Sequence, residues 1–261
     1  MDTLTRDKPA PTYNAPALEK AFDILELLAD APGGLTISEI AQRLDRSISE
    51  VFRIIIVMER RQWLQKDDND RYGVSYRALD VAFRATPAQM LAQAAAPVMF
   101  ELASAVGQSC HLVLRADERA MVVQRQENPG AVGFGIRLGA IVDLVTSCSG
   151  HVLLAFLPEA RQAALLDVLP RPKGLSRAQL QGRLEQVRAD GFRTQPSARI
   201  EGVTDLSYPV FGFDGQIAAA LTIPFLVMID GSQRTTLDET LALLGGSASR
   251  ISAALGHVVP R

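Results

Sequence analysis

The sequence is poor in cysteine and has no long uninterrupted apolar segment. Its two cysteines, Cys110 and Cys148, lie far apart in the chain. With no export signal, we expect reduced thiols and not a structural disulfide. The longest apolar run, residues 217–229, is interrupted by a threonine and a proline and falls short of the roughly 20 residues that span a membrane. Residues 1–6 lack the apolar core of a signal peptide. We therefore predict a cytoplasmic protein without membrane contact.

The sequence also lacks an excess of charge of either sign. It has 27 Lys and Arg residues against 29 Asp and Glu residues, a formal net charge of -2. Nucleic-acid-binding domains are usually basic, so any DNA binding must come from a local patch. A hydrophobic fraction of 48% with 21% charged residues excludes disorder as the dominant state. The chain of 261 residues is long enough for two domains with separate cores.

Signatures of catalysis and of metal binding are scarce. Cys110 and His111 are adjacent on a predicted strand, so their side chains point to opposite faces and cannot hold one metal ion. Cys148 and His151 are spaced i, i+3 at a predicted helix start, which makes them a candidate nucleophile and base. No orienting carboxylate stands nearby, and the glycines at 130–139 do not fit a phosphate-binding loop. We predict no catalytic residue, no cofactor and no metal, with a Cys148/His151 enzyme as the alternative.

Two helix start signals followed by a hairpin dominate the first 80 residues. Thr36–Glu39 and Ser47–Glu50 both fit the capping box, in which a hydroxyl and a carboxylate each bond an unpaired N–H group of the first helical turn. The short polar connection between the two helices predicts a helix-turn-helix. A strand, an Asp-rich turn and a second strand follow over residues 63–74. This order predicts a winged helix-turn-helix, most often a DNA-binding fold.

The second capped helix, from Ser47 to about Arg61, has one apolar face and one polar, basic face. The major groove admits one α-helix, and basic wing residues suit the phosphates beside it. A solvated helix face, or a winged helix that contacts protein as a sensor scaffold, is the alternative interpretation. The predicted DNA contacts are Ser47, Ser49, Glu50 and Arg53 on the helix and Lys66 and Arg71 on the wing, with Arg6 and Lys8 of the N-terminal arm.

The rest of the chain alternates helices with short strands. This order predicts an α+β domain, an antiparallel sheet with flanking helices. Besides a first helix at 17–30, whose Leu18, Phe22, Leu25 and Leu28 fall at helical spacing on one face, we predict helices at 76–84, 87–106, 150–157, 159–168, 177–190 and 233–255. The predicted strands are 109–114, 120–126, 131–138, 206–213 and 216–225.

Three glycine and proline features add detail. Pro97 should kink or divide the long helix at 87–106. Gly245 and Gly246 in the last helix predict close packing there, since glycine otherwise weakens a helix. Thr146–Gly150 places four small polar side chains and a glycine at a helix start, which suits an anion site or simple N-capping. The residues alone favour neither.

Motifs in both halves of the chain resemble the IclR family of bacterial transcriptional regulators. In the first half the resemblance rests on Ala17–Leu25, Gly34–Ala41 and Arg71–Tyr72, with Ser49, Val51 and Arg53 between them. In the second half it rests on Leu138–Gly139, Thr146–Gly150, Leu153–Leu157, Glu201–Val203, Tyr208–Val210 and Asp214–Thr222.

The resemblance implies a regulator with two domains. Residues 17–76 would form the winged helix-turn-helix, 77–88 a helical linker and 89–257 a GAF-like effector-binding and oligomerisation domain, after a disordered arm at 1–16. The implied partners are a double-stranded DNA operator, a small and acidic metabolite, and further copies of the chain in a homodimer or a homotetramer built as a dimer of dimers. The implied ligand-binding residues are Leu144, Thr146, Ser147, Cys148, Gly150, Asp205 and Thr222.

Departures from the family pattern affect both sites. Gly150–Val152 reads Gly-His-Val where Gly-Lys-Ala is usual, and Ile48 and Glu50 replace a basic residue and a threonine in the DNA-binding helix. Asp205 stands where many members have a small or thiol residue. A carboxylate there would repel a simple acid. We therefore predict a ligand with an acidic end at Thr146 and Ser147 and a donor, such as a hydroxyl, for Asp205.

Overall fold

The computed structural model describes residues 15–85, 88–130 and 133–258. The chain divides into two compact units, residues 1–86 and 87–261. The elements of the first unit are α1 (Pro16–Ala29), α2 (Ile37–Arg43), α3 (Ile48–Arg60), β1 (Leu64–Lys66), β2 (Tyr72–Val74) and α4 (Tyr76–Ala85). Strands β1 and β2 pair antiparallel, so two capped helices and a wing follow α1 as predicted.

One of the two predicted capping boxes is complete. The Glu39 N–H donates to the Thr36 hydroxyl at 3.3 Å, and the Thr36 N–H donates to the Glu39 carboxylate at 2.7 Å. The prediction of a second complete box is wrong. The Glu50 N–H donates to the Ser47 hydroxyl, but the Glu50 carboxylate pairs with Lys20 of α1. Its charge therefore joins two helices instead of closing the cap.

Residues of α1, α2, α3 and the two wing strands form the core of the first unit. Ile24 of α1, Ile40 of α2 and Ile55 of α3 are almost fully buried within it. Leu18 and Phe22 on the apolar face of α1 do not join this core, because their side chains are 56% and 54% exposed. The helix therefore presents an apolar strip to the outside.

The second unit contains a sheet between two layers of helices. Its elements are α5 (Ala88–Val106), β3 (Cys110–Ala116), β4 (Arg119–Gln126), β5 (Ile141–Val142), α6 (Cys148–Ala155), α7 (Glu159–Val168), α8 (Arg177–Asp190), β6 (Arg193–Pro196), β7 (Val203–Phe211), β8 (Ile217–Leu226) and α9 (Leu237–Ala254). The strand order is β5-β4-β3-β8-β7-β6, and every recorded pairing is antiparallel.

Each face of this sheet buries a separate apolar cluster. Leu112 and Leu221 pack with α5 and α9, while Val113 and Ala220 pack with α6, α7 and α8. The division follows from the alternation of side chains along a strand. The α6 face also carries the polar residues described below.

Several predicted elements need correction. The strand predicted at 131–138 is wrong over 133–138, which form no regular element; residues 131 and 132 lie outside the described residues. The sheet instead includes β5 and β6, which no sequence pattern predicted. Helix α5 continues through Pro97 and is not divided. The close packing predicted at Gly245 and Gly246 is confirmed only at Gly245, where a Cβ would lie 2.8 Å from Cζ of Tyr208. At Gly246 no atom lies within 4 Å of the Cβ position.

Candidate functional site

Helix α3 has a polar row opposite its buried face. Val51 and Ile55 are buried, whereas Ser49, Arg53 and Arg60 are exposed. These three lie at i, i+4 and i+11, within about 40° of one another around a helix of 3.6 residues per turn. The Arg53 Nε donates to the Ser49 carbonyl at 3.2 Å, which lays the guanidinium along this outward row.

Two other predicted contacts on this helix have roles inside the unit. The Ser47 hydroxyl caps α3 and lies 3.3 Å from the Ser49 hydroxyl. The Lys20 ammonium pairs with Glu50, and Arg46 lies 4.0 Å away. The hydrogen bond from Lys20 and the nearby cations lower the pKa of Glu50. The Glu50 carboxylate is therefore held by neighbouring cations, and its contact with DNA stays a prediction.

The two wing cations are also paired within the unit. The Arg71 guanidinium donates from Nε to the Gly34 carbonyl at 3.1 Å and from Nη2 to Glu39 at 3.2 Å. It thereby ties the wing to the capping box of α2. The Lys66 ammonium lies 2.8 Å from the Asp70 carboxylate, and this hydrogen bond raises the pKa of Lys66. A DNA phosphate would have to displace Glu39 from Arg71 and Asp70 from Lys66. This competition is harder at Arg71, because its guanidinium also donates to backbone carbonyls.

A cavity of about 400 Å³ lies in the second unit between the start of α6 and the sheet. Strands β3, β7 and β8 contribute His111, Asp205 and Thr222. The start of α6 and the loop before it contribute Asp143 and residues 146–149. The remaining wall consists of Val142, Phe134, Ile136, Ser197, Ala198, Arg199 and Ile200.

Five of the seven predicted ligand residues line this cavity, and two do not. The five are Thr146, Ser147, Cys148, Asp205 and Thr222. Leu144 is 2% exposed and belongs to the apolar cluster on that side of the sheet. At Gly150 a Cβ would lie 2.5 Å from the Leu144 carbonyl oxygen. The absence of a side chain at Gly150 is therefore explained by backbone packing and not by ligand contact.

Asp143 uses most of the polar groups expected at the helix start. Its Oδ1 accepts from the Val145 N–H at 2.9 Å and from both the N–H and the hydroxyl of Thr146 at 2.8 Å. The Ser147 hydroxyl caps the Gly150 N–H at 3.0 Å. Among the described residues, the N–H groups of Cys148 and Ser149 meet no acceptor. N-capping is thus observed at Ser147, and two N–H groups are left for an anion.

The charged groups around the cavity are unevenly distributed. The carboxylates of Asp143 and Asp205 and the guanidinium of Arg199 line it. Asp205 is half-buried, and burial raises the pKa of its carboxyl group. The Arg199 Nη2 donates to the Ile141 carbonyl at 3.1 Å. The balance of formal charge is negative, which favours a ligand that also donates hydrogen bonds.

Cys148 and His151 do not form a nucleophile–base pair. The Cys148 thiol lies 3.2 Å from the Arg193 carbonyl and 3.3 Å from the Asp205 carbonyl, and burial raises its pKa well above the usual value. Nε2 of His151 lies 2.7 Å from the Val145 carbonyl. No hydrogen bond joins the two side chains within the described ranges. A buried, protonated thiol is a weak nucleophile, so the geometry disfavours the enzyme alternative.

His111 lines the cavity, a role that its local sequence did not predict. It is 2% exposed and stands opposite Thr222 in the pairing of β3 with β8. Thr222 was already a predicted pocket residue. The pairing of β3 with β8, which the sequence does not reveal, is what places His111 beside it. In the part of the chain that the structure describes, no cluster of three or more His, Cys, Asp or Glu side chains suits a metal ion, and no helix is long and apolar enough to cross a membrane.

Comparison with known proteins decides the family. The family model described as "Bacterial transcriptional regulator IclR C-terminal" matches residues 83–253. The model described as "IclR helix-turn-helix domain" matches residues 17–68. The chain belongs to the IclR family. This confirms the predicted family, the α+β fold class and the function of a DNA-binding transcriptional regulator with a C-terminal effector-binding domain.

Individual relatives of this IclR-family chain are distant but cover it almost completely. It is 29% identical over 241 residues to the regulator BhcR of Paracoccus denitrificans, covering 86% of this chain and 83% of BhcR. It is 25% identical over 244 residues to KdgR of Escherichia coli, covering 91% and 92%. A crystal structure of an IclR homolog complexed with 4-hydroxybenzoate, from Microbacterium hydrocarbonoxydans, has the same fold. Its TM-score is 0.76 at 21% identity, covering 92% of this chain and 98% of that chain.

Proposed function

We propose that this IclR-family regulator binds its operator through Ser49, Arg53 and Arg60 of α3, and that a hydroxylated carboxylic acid in the cavity changes operator affinity. The observation that carries the operator part is the exposed guanidinium of Arg53 on the face opposite the buried residues of α3. An arginine in the major groove can donate two hydrogen bonds to guanine, and a serine hydroxyl can bond any base edge. Arg60, at the other end of the helix, suits a phosphate contact.

The operator assignment is tested by titrating the DNA upstream of the gene at several salt concentrations. If Arg53 contacts a base edge, Arg53→Ala should weaken specific binding by about 1–3 kcal/mol and relax sequence preference. If it contacts only phosphate, the salt slope should fall by about one unit. The matched control is Arg183→Ala, which removes an exposed arginine from α8 of the other unit. Equal affinities for the two variants would refute the role of Arg53.

The ligand class follows from the opposed charges around the cavity. The N–H groups of Cys148 and Ser149 and the guanidinium of Arg199 suit an acidic end, helped by the dipole of α6. Asp205 then requires a donor such as a hydroxyl. The homolog noted above was crystallised with 4-hydroxybenzoate, a molecule that carries both groups. A cavity of about 400 Å³ falls within the range of small-molecule sites.

The ligand class is tested with 4-hydroxybenzoate and benzoate, which differ by one hydroxyl. The hydroxylated acid should raise the melting temperature of the native protein more than benzoate does, and should shift its operator affinity. Asp205→Asn should reduce this preference, because an amide is a weaker acceptor than a carboxylate. Equal responses to the two acids, or a preference that Asp205→Asn leaves intact, would contradict the assignment.

We further propose that the protein acts as a homodimer in which α1 packs against its copy. Leu18 and Phe22 are exposed and Leu25 is only partly buried, at i, i+4 and i+7 along one side of α1. An apolar strip of this spacing is suited to another helix. Two copies of α3 would then bind two half-sites of the operator. The tetramer built from two such dimers stays an expectation from the family.

A further inference from the structure

A buried polar row crosses the sheet beneath the effector cavity. His111 of β3 stands directly opposite Thr222 of β8, and Thr222 stands opposite Ser207 of β7. Their side chains are 2%, 2% and 0% exposed. His111 and Thr222 line the cavity. Polar side chains this deep in a sheet normally satisfy one another, so the bonding of each member is informative.

Only part of this row is satisfied by the protein. The hydroxyls of Ser207 and Thr222 lie 2.9 Å apart and form a hydrogen bond. Nδ1 of His111 is shielded from solvent and has no hydrogen-bond partner among the described residues. A buried polar group left without a partner destabilises the folded state. An apolar side chain at position 111 would therefore cost the folded protein less than this histidine does.

A second histidine provides an internal comparison. His151 is also buried with an unpaired Nδ1, but its Nε2 lies 2.7 Å from the Val145 carbonyl. That hydrogen bond orients the ring and gives His151 a structural role. His151 is not among the cavity walls, whereas His111 is. His111 thus combines an unsatisfied nitrogen with access to the cavity.

We propose that the imidazole of His111 is an effector contact that hydrogen-bonds an uncharged hydroxyl or carbonyl oxygen of the ligand. This inference rests on the proposed effector role of the cavity and adds a second determinant of specificity to it. The terminal torsion of a histidine is broad and roughly two-fold, so either edge of the ring can face the cavity.

The charge state of the ring limits what it can recognise. Burial lowers the pKa of His111 to about 4, so the imidazole is neutral near pH 7 and offers one donor and one acceptor. It can therefore donate to a carbonyl or exchange a hydrogen bond with a hydroxyl. An ionised Asp205 can only accept, so it distinguishes a hydroxyl from a carbonyl. The two residues should select different features of the ligand.

Matched acids separate these two roles. The probes are butyrate, 2-hydroxybutyrate and 2-oxobutyrate, together with benzoate, 3-hydroxybenzoate and 3-formylbenzoate. Dissociation constants are measured by calorimetry on the full chain. In the native protein, at least one skeleton should bind more tightly with the hydroxyl or carbonyl than without it. His111→Phe, which keeps a planar ring, should weaken both oxygenated forms about three- to tenfold, the usual value of one neutral hydrogen bond. Its affinity for the parent acid should change little.

Two further variants connect the effect to hydrogen bonding. His111→Gln retains a donor and an acceptor and should recover part of the preference for the oxygenated acids. Asp205→Asn should weaken the hydroxy acids selectively and spare the oxo and formyl acids. If only the Asp205 variant alters selectivity, His111 is not a ligand contact, while the proposed effector site stands. If no skeleton in the native protein favours an oxygenated form, the ligand class itself is overturned.

A measurement without ligand tests the same inference independently. His111→Phe should leave the urea midpoint of the free protein unchanged or raise it, because it removes an unsatisfied polar atom. His151→Phe should lower the midpoint, because it leaves the Val145 carbonyl without its partner. Equal destabilisation by the two variants would show that His111 has a structural role and would overturn the proposal.

Discussion

Asp205 combines a negative charge with partial burial inside the cavity. Burial raises the pKa of its carboxyl group, opposed by a hydrogen bond from Ser197. The folded state therefore binds the Asp205 proton more tightly than the unfolded state does. It follows that ionised Asp205 destabilises the ligand-free fold at neutral pH, a cost often found at sites kept for binding.

We predict that Asp205→Asn raises the melting temperature of the ligand-free protein at pH 7. The sign follows from linkage: between the ordinary carboxyl pKa and the raised one, the native state holds more protons, so stability falls as pH rises. The advantage of the variant should shrink as pH is lowered toward 3.8, the ordinary value for Asp. Thermal unfolding of both proteins from pH 4 to 8 measures this, and an advantage that grows on acidification would contradict it.

Arg71 is a basic wing residue whose hydrogen bonds lie within its own unit. Its guanidinium bonds the Gly34 carbonyl and the Glu39 carboxylate, and the Tyr72 and Leu35 backbones pair beside it. These contacts hold the wing against the start of α2. The Arg71 guanidinium therefore stabilises the fold of the DNA-binding unit, whether or not it also contacts a phosphate.

We predict that Arg71→Ala lowers the urea midpoint of the protein, whereas Lys66→Ala has little effect. The reason is that Arg71 satisfies backbone carbonyls, while Lys66 forms an exposed pair with Asp70, and such pairs contribute little. For DNA binding the order should reverse, with Lys66→Ala flattening the salt slope the more. An unchanged midpoint for Arg71→Ala would show that these hydrogen bonds are not structural.

At the scale of elements, α9 shows how one position decides the fit between a helix and the sheet. Gly245 faces Tyr208 of β7, where a Cβ would lie 2.8 Å from Cζ and 2.9 Å from Cε1 of the ring. Its neighbour Gly246 has no atom within 4 Å of its own Cβ position. The two glycines therefore have the same intrinsic cost in a helix but opposite packing environments.

We predict opposite effects for the two alanine substitutions. Gly246→Ala should stabilise the protein by about 0.5–1 kcal/mol, because alanine is the better helix former. Gly245→Ala should destabilise it by about 1–3 kcal/mol, the usual cost of overpacking, less the same gain in propensity. Urea unfolding of the paired variants gives both values. Stabilisation by both would mean that the Tyr208 ring moves aside freely.

At the scale of the whole molecule, an acidic chain has to concentrate its DNA affinity locally. The net charge is -2, so non-specific attraction to DNA is weak. A homodimer would present two copies of α3 to the DNA. Binding of the second copy would then be intramolecular, which raises the overall affinity. The exposed strip on α1 offers a surface for that association.

We predict that Phe22→Glu prevents formation of the proposed α1-mediated dimer and weakens operator binding at least tenfold. A carboxylate at the centre of an apolar interface loses hydration without gaining a partner. Sedimentation velocity measures the association state, and the gel shift measures the DNA affinity. The control is Glu26→Gln, an exposed residue of the same helix. A Phe22→Glu protein with unchanged association would show that α1 is not the interface.

Local signals in the sequence were sufficient for most elements. Glu159–Val168 and Arg177–Asp190 form α7 and α8 with the predicted bounds, because capping, periodicity and a terminal glycine act over a few residues. The winged helix-turn-helix was predicted for the same reason. The residues themselves pointed to the hydroxyl-rich start of α6, and the family resemblance pointed to Asp205 and Thr222; all of them line one cavity.

Non-local pairing decided the rest. The apolar positions of α1 predicted a strip, but only the packed fold shows that Ile24 and Leu28 face inward while Leu18 and Phe22 face outward. The edge strand β6 exists because β7 offers it a partner, which no local pattern records. His111 became a cavity residue through the register of β3 with β8. The sequence by itself determined the helices, the wing and the family, since their signals are local. Ion-pair partners, outward faces and the unsatisfied histidine depended on tertiary contacts between distant residues.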